Sequence, residues 1–191
     1  MPTRRTAMLL PLLLAACGRD RPPPLAPLGW THLLRLNLDV AELEFDPTDP
    51  PAPPNDIGRQ LVVRPAEVVR MMGRDRLGTT GTGGIAVFSV MRAQMVPDRG
   101  GLACILACRL EVAKDTVGRG FVEAEARAAV TDAGSGRDRI DAAERLLRQA
   151  MDRLNVELEF QLRSRLRDWI AAPPGAAPPP PPVETEELPR G

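Results

Sequence analysis

Aromatic residues are scarce in this chain: of 191 residues, none is tyrosine, two are tryptophan and four are phenylalanine. Proteins that bind single-stranded nucleic acid stack the bases on aromatic platforms, and this composition offers few of them. Basic charge is not in excess either, since 25 Lys and Arg residues balance 25 Asp and Glu residues. A neutral chain lacks the positive footprint of a nucleic-acid binder, so we predict no nucleic-acid partner.

The side chains that most often catalyse reactions are also few. His32 is the single histidine, so it cannot form a multi-histidine zinc site, and no partner for general-base chemistry is visible. The three serines, Ser89, Ser135 and Ser164, lie outside any GxSxG setting. We therefore predict a non-enzyme with no metal site and no cofactor, in which His32 lies at the rim. A catalytic cluster around His32 is the alternative.

The N-terminus has the pattern of a secretory leader. Arg4 and Arg5 provide the basic start, and residues 7–16 (AMLLPLLLAA) form an apolar stretch that is too short to span a bilayer. The small residues that end this stretch fit the groove of a signal peptidase. We place the cleavage site between Ala16 and Cys17, so that residues 1–16 are removed.

The tetrapeptide that ends the leader, LAAC, resembles the lipobox of bacterial lipoproteins. The resemblance implies that Cys17 carries a diacylglycerol thioether and an acylated amine, and several acyl chains make a stable membrane anchor. In lipoproteins that are retained in the inner membrane, an Asp follows the lipidated cysteine, whereas Gly18 follows Cys17 here. The resemblance therefore implies that the protein is anchored at the periplasmic face of the outer membrane. The inner membrane is the alternative location, and a signal peptide with a chance cysteine is the alternative to lipidation.

Proline content divides the rest of the chain into three parts. Residues 17–30 hold the lipidated cysteine and a Pro-rich tether, residues 31–171 a single domain, and residues 172–191 a second Pro-rich segment. The last segment has no apolar periodicity, which predicts a disordered tail. Its PPPPP tract could be a ligand for proline-recognising modules, but a solvated tail is the simpler interpretation.

The apolar periodicity of residues 31–171 predicts an α+β fold. Alternation predicts four strands, at residues 32–45, 85–96, 102–113 and 119–131. Helical spacing predicts one helix from Pro65 to about Leu77 and a long one from Asp138 to Ile170. The order βαβββα predicts a two-layer domain in which two helices cover a four-stranded, mainly antiparallel sheet.

The first predicted strand changes its apolar phase. Leu34, Leu36, Leu38 and Val40 are predicted to share one face of the strand, and the phase then shifts to Leu43 and Phe45. This shift suggests a β-bulge near Ala41.

Cys104 and Cys108 are the two cysteines left after lipidation of Cys17. Four residues of strand span about 13 Å, whereas a disulfide needs α-carbons within about 7 Å. We therefore predict that the two cysteines do not pair with each other. Their spacing puts both on one strand face, which predicts two small core residues.

Two loops between the predicted elements contain residues that could bind ions. Residues 78–84 (GTTGTGG) invite a phosphate-binding interpretation, but they lack the P-loop lysine and lead into a strand, which favours a flexible connection. Asp46, Asp49 and Asp56 in the loop at residues 46–60 could bind calcium. Their spacing is not that of an EF-hand, so turn and capping roles are favoured.

The end of the long helix is the predicted partner surface. Leu166 and Trp169 are expected to project past the sheet as an exposed apolar patch, together with the loop at residues 78–84. Arg163, Arg165 and Arg167 could contact lipid headgroups there. Favourable basic charge at a helix C-terminus is the simpler interpretation of these arginines.

Residues 32–170 resemble two groups of envelope lipoproteins in element order: the lipopolysaccharide-assembly lipoprotein inside an outer-membrane barrel and the auxiliary lipoprotein of ABC-type lipid transporters. LRLNLDVAELEF also resembles uncharacterised small lipoproteins of alphaproteobacteria. The resemblance implies a non-catalytic accessory or assembly factor with an envelope protein partner. Residues 46–60 and the tail match neither transport group. A lipid- or anionic-glycan-binding lipoprotein is the alternative, and the oligomeric state is left open.

Overall fold

The structure is a computed structural model that describes residues 26–171. The predicted leader, the lipidation site Cys17, most of the tether and the predicted tail at residues 172–191 lie outside the described residues. Short 3-10 turns occur at Gly58–Gln60 and Arg167–Trp169. The elements follow one another as β1 (Leu36–Leu38), β2 (Glu42–Phe45), α1 (Pro65–Arg76), β3 (Leu77–Thr79), β4 (Ile85–Asp98), β5 (Gly101–Lys114), β6 (Gly118–Val130) and α2 (Gly136–Arg165).

The four-stranded sheet has the order β2-β4-β5-β6. β2 pairs with β4 in parallel, and β4, β5 and β6 form an antiparallel meander. α1 packs on β4, and α2 lies over β5 and β6 on the same face. The predicted two-layer α+β fold with a long C-terminal helix is confirmed. No helix within residues 26–171 combines the length and hydrophobicity needed to cross a membrane.

The predicted strand at residues 32–45 is in fact two strands. β1 pairs in parallel with β3, whereas β2 belongs to the four-stranded sheet. At the position of the predicted bulge near Ala41, the chain leaves the sheet of β1 and enters the four-stranded sheet. The N–H of Ala41 donates to the carbonyl of Gly84 at 3.1 Å. Leu34 precedes β1 and is 87% exposed, so the prediction that it shares a face with the buried Leu36 and Leu38 was wrong.

The meander buries one side chain in two along each strand. Cys104, Leu106 and Cys108 of β5 are fully buried, and both cysteines are free thiols, as predicted. On β6 the buried positions include Ala124, Ala126 and Ala128. These small side chains allow α2 to pack closely on the sheet.

α2 is shorter at its C-terminus than the periodicity predicted. It spans Gly136–Arg165, followed by the 3-10 turn, and Ile170 then forms an antiparallel β-bridge with Leu38. The chain turns back because Leu166 and Trp169 are drawn into the core. Gly120 provides the space: a Cβ there would lie 2.7 Å from Leu166 Cδ2.

The loop at residues 46–60 covers the edge of β4 beyond the end of β2. The N–H of Asp46 donates to the carbonyl of Phe88, and the N–H of Ile57 donates to the carbonyl of Met95, both at 2.9 Å. The N–H of Met95 in turn donates to Oδ1 of Asp56 at 3.0 Å. This Pro-rich loop therefore protects a sheet edge that would otherwise expose unpaired main-chain groups.

Candidate functional site

The predicted apolar patch at the end of α2 does not form. Leu166 and Trp169 are 3% and 7% exposed, because the 3-10 turn directs them into the core. Arg163 and Arg167 are exposed, and Arg163 pairs with Glu159 at 2.9 Å. The surface at this end is thus polar, and a partner there would meet the arginines rather than Leu166 or Trp169.

The loop at residues 78–84 packs against the segment that links β1 and β2. The N–H groups of Thr80 and Gly81 donate to the carbonyls of Leu38 and Val40 at 2.9 and 3.1 Å. The first residues of the predicted loop belong to β3. Because these two amides are used inside the fold, they are not free to bind an anion. The predicted helix-to-strand connection is present, but hydrogen bonds hold it in place, so the expected flexibility was wrong.

A buried arginine holds the acidic loop at residues 46–60. Arg70 is 4% exposed, and its guanidinium donates to the carbonyls of Asp46, Pro47 and Thr48 and to the Asp49 carboxylate at 2.8 Å. The hydrogen bond from Arg70 lowers the pKa of Asp49. The positive charge that Asp49 contacts is therefore a side chain of the same protein, Arg70 of α1.

The other two loop aspartates accept hydrogen bonds from main-chain N–H groups within the loop. Asp46 accepts a hydrogen bond from the Thr48 N–H at 2.8 Å, which lowers the pKa of Asp46, and Asp56 accepts one from the Gly58 N–H at 2.7 Å. The predicted turn role is confirmed for Asp46 and Asp56. Asp49 instead pairs with Arg64 and Arg70, and none of the three side chains caps a helix. Within residues 26–171, no group of three or more His, Cys, Asp or Glu side chains is placed to hold a metal ion.

The two cysteine thiols of the domain are inaccessible. Burial raises the pKa of the Cys104 and Cys108 thiols to about 12, so both stay protonated and unreactive at neutral pH. His32 is exposed, close to the beginning of the described chain. Its position agrees with the predicted rim residue.

Arg76 is a buried cation that the sequence analysis missed. It is 2% exposed and donates to the Leu34 carbonyl, to the Glu159 carboxylate and to Asn155 Oδ1 at 2.8 Å. It thereby joins α1 to the segment before β1 and to α2. No local signal marks this arginine, because its partners are 42 to 83 residues away in the chain.

The face of the four-stranded sheet opposite the helices is uncovered among the described residues, and it carries a hollow of about 300 Å³. Phe121, 52% exposed, lies in the hollow beneath the Arg109 guanidinium, which is 4.4 Å from the ring centroid. Arg109 also lies 3.2 Å from Glu123 and 2.8 Å from Glu111, although its Nε–H is not aligned for a hydrogen bond with Glu111. The side chains around the hollow include Ile85, Val87, Arg109, Glu111, Arg119 and Phe121.

Sequence reasoning identified only part of this face. It predicted outward Glu123 and Arg127 on β6, which the structure confirms. It read residues 85–96 as apolar on both sides, as expected for a central strand, and β4 is indeed central. This second apolar side of β4 was the sequence signal for the hollow. It comprises Ile85 and Val87, which face away from the helices and line the hollow.

No protein-family model matches the chain, and no curated protein matches it either. Among solved structures, a Xanthomonas campestris protein of the DUF330 family is 12% identical, with a TM-score of 0.31 over 68% of this chain and 99% of its own. A lipoprotein of Neisseria meningitidis is 9% identical, with a TM-score of 0.26 over 58% and 99% of the two chains. A hypothetical protein of Chlamydia trachomatis is 9% identical, with a TM-score of 0.26 over 62% and 98%. At these identities and TM-scores, the likeness assigns neither a family nor a function to this chain.

Proposed function

We propose that this chain is a membrane-tethered, non-catalytic accessory or assembly factor of an envelope complex that moves lipid or lipopolysaccharide. The lipidated Cys17 would hold the domain at the periplasmic face of the outer membrane. The partner would be an envelope protein, and the domain would bind it without performing chemistry on a substrate.

The observation that carries this proposal is the uncovered face of the sheet. A partly apolar hollow, with Val87 and Phe121 in it, is surrounded by paired charges such as Arg109 and Glu123. Protein interfaces have this arrangement, in which an apolar centre is enclosed by a polar rim. Aromatic and arginine side chains of the Phe121 and Arg109 kind are also those that interface cores favour.

The chemistry of the described residues agrees with binding rather than catalysis. Both free thiols are buried and protonated, and the buried guanidinium groups of Arg70 and Arg76 are engaged in bonds within the fold. The outer face of the sheet presents both signs of charge, which favours a protein surface over a polyanion.

A second candidate is a binding protein for a lipid or an anionic glycan. The hollow itself favours it, because Arg119 lies beside Phe121 at its margin and could attract an anionic group. The volume of about 300 Å³ is at the lower end of the usual range for small-molecule sites. A ligand there would be small, or only part of a larger molecule.

The proposal is tested by crosslinking the lipidated protein in its own membranes, purifying it and identifying the recovered proteins by mass spectrometry. Phe121→Ser should reduce recovery of the partner about tenfold, because it removes an aromatic contact from the centre of the surface. Val117→Ser is the matched control, since Val117 is 53% exposed in the β5–β6 turn and does not line the hollow.

Stoichiometric recovery of a membrane transporter subunit or outer-membrane barrel with wild type and Val117→Ser supports the proposal. Recovery of the protein alone overturns it. Recovery with a copurified lipid or glycan instead supports the second candidate.

A further inference from the structure

One edge of the four-stranded sheet is open along a long strand. β6 spans 13 residues at the end of the order β2-β4-β5-β6, and no described strand pairs with its outer edge. At the opposite side of the sheet, β2 and the loop at residues 46–60 cover β4. The edge of β4 is thus covered, whereas the edge of β6 is open. An exposed edge strand readily pairs with another chain.

The main-chain groups that face this open edge can be identified. Arg153 of α2 donates a hydrogen bond to the Arg127 carbonyl, and Arg127 is opposite Ile105 of β5 in the register. The N–H of Ala124, in contrast, is directed toward Cys108 of β5. Since N–H and C=O of one residue point to the same side and alternate along an antiparallel strand, the odd-numbered residues of β6 face outward.

We propose that a second copy of this chain pairs with β6 in antiparallel orientation about a two-fold axis at Ala126. Glu125 then lies opposite Arg127 of the partner subunit, and Arg127 lies opposite the partner subunit's Glu125. The pairing creates one continuous eight-stranded sheet. Glu125 and Arg127 gain two contacts across the axis in addition to their present ion pairs with Arg92 and Asp98. The main-chain groups of the partner strand replace the Arg153 bond to the Arg127 carbonyl.

The charge pattern of β6 selects this register. An axis at Glu123, Glu125 or Arg127 would place that residue opposite its own copy, and an axis at Ala124 would place Glu123 opposite Glu125. Like charges at opposed positions destabilise a strand pair, whereas opposite charges stabilise it. An axis at Val122 would use Gly118 and Gly120, of which Gly118 has a φ of 104° and interrupts the extended strand.

The outer side of α2 is consistent with a second copy. α2 runs antiparallel to β6, because Arg153 meets Arg127 while Leu166 packs at Gly120. Phe160 is seven residues after Arg153, about 10 Å along the same helix face. Phe160 is 60% exposed and the neighbouring Val156 is 67% exposed.

In the paired sheet, the two α2 helices lie on the same face of the sheet, one on each side of the two-fold axis. Exposed apolar side chains on this side of α2 are then partly covered. The hollow at Phe121 stays open on the opposite face of the sheet, so this inference is independent of the proposed partner.

Disulfide trapping of the full-length protein in its own membranes tests the register. Ala126→Cys should form a covalent dimer under mild oxidation, because opposed residues of a non-hydrogen-bonded pair have α-carbons about 4.5 Å apart. Ala128→Cys is the matched control, since it would face the partner's Ala124 and should stay monomeric. Both variants are made in the Cys104→Ala, Cys108→Ala background, because position 128 lies directly opposite Cys104 in the β5–β6 register.

A charge exchange on the exposed face of β6 provides a second measurement that does not depend on buried positions. Two differently tagged full-length copies are co-expressed, and co-isolation of one with the other is quantified. Glu125→Arg or Arg127→Glu alone should reduce co-isolation about tenfold, because two attractive pairs become repulsive. Co-expression of one variant with the other should restore it, as should the double variant.

Trapping at 126 but not at 128, together with the rescue by exchanged charges, supports the β6 dimer. Absence of co-isolation for wild type overturns the inference. Co-isolation that is insensitive to both charge changes also overturns it, because the copies would then meet through another surface.

Discussion

Arginine is the cation in almost every charged contact of this domain, since Lys114 is the only lysine. A guanidinium presents several donors in a fixed plane, so one side chain can bind several acceptors at once. Arg70 does so for the loop at residues 46–60, and Arg76 does so between α1 and α2. The composition showed the abundance of arginine, but only the structure shows which two of them are buried.

Because Cys104 and Cys108 are buried as thiols, we expect the protein to lose stability at alkaline pH. Their folded-state pKa of about 12 is above that of an unfolded thiol near 8.5. The contribution of the two thiols to stability is therefore fully present below about pH 8.5. It decreases as the pH rises toward 12, because the thiols of the unfolded chain lose their protons at a lower pH than those of the folded chain. Each thiol should lower the free energy of unfolding by up to about 1.4 kcal/mol per pH unit in this interval.

This effect is measured by urea unfolding between pH 8 and 11. The background is small because the chain has no tyrosine and one lysine. The Cys104→Ala, Cys108→Ala double variant is the comparison: it will be less stable at neutral pH, but its stability should depend much less on alkaline pH. Equal pH dependence of the two proteins would show that the thiols are not the cause.

At the scale of elements, the periodicity of the chain predicted most helices and strands correctly. Apart from the end of α2, the errors are at residues 32–45 and 78–84, where three strands of three or four residues were read as one strand and one loop. A strand of this length contains too few residues for alternation to identify it. The pairing of β1 with β3 joins residues 41 apart, such as Leu36 and Leu77, and local sequence carries no record of it.

The loop at residues 78–84 provides a prediction with an internal control. Gly81→Ala should destabilise the protein by about 2 kcal/mol, because the added Cβ would lie 2.4 Å from the Asp39 carbonyl carbon and 2.5 Å from the Val40 nitrogen. Gly83→Ala meets nothing within 4 Å and should be neutral or stabilising by about 0.5 kcal/mol. Thermal unfolding of both variants measures the difference, and equal effects would contradict the close packing of Gly81.

At the scale of the whole molecule, the decisive prediction is the anchor at Cys17. Cys17→Ser should remove the protein from the membrane fraction, because the acyl chains are the proposed attachment. Cys108→Ala should leave the membrane fraction unchanged, since that thiol is buried in the folded domain. Fractionation with metabolic labelling by a fatty acid measures both, and a labelled Cys17→Ser protein that still sediments with membranes would contradict the lipobox interpretation.

The sequence by itself determined the two-layer α+β class, the hairpin order of β4, β5 and β6, and the core position of both free cysteines. These features depend on periodicity and turn residues, which are local properties of the chain. The tertiary structure alone decided that Leu166 and Trp169 are core residues, that β1 and β2 belong to different sheets, and that Arg70 and Arg76 are buried. It also decided which sheet face and which edge remain open, because each of these depends on contacts between residues far apart in the chain.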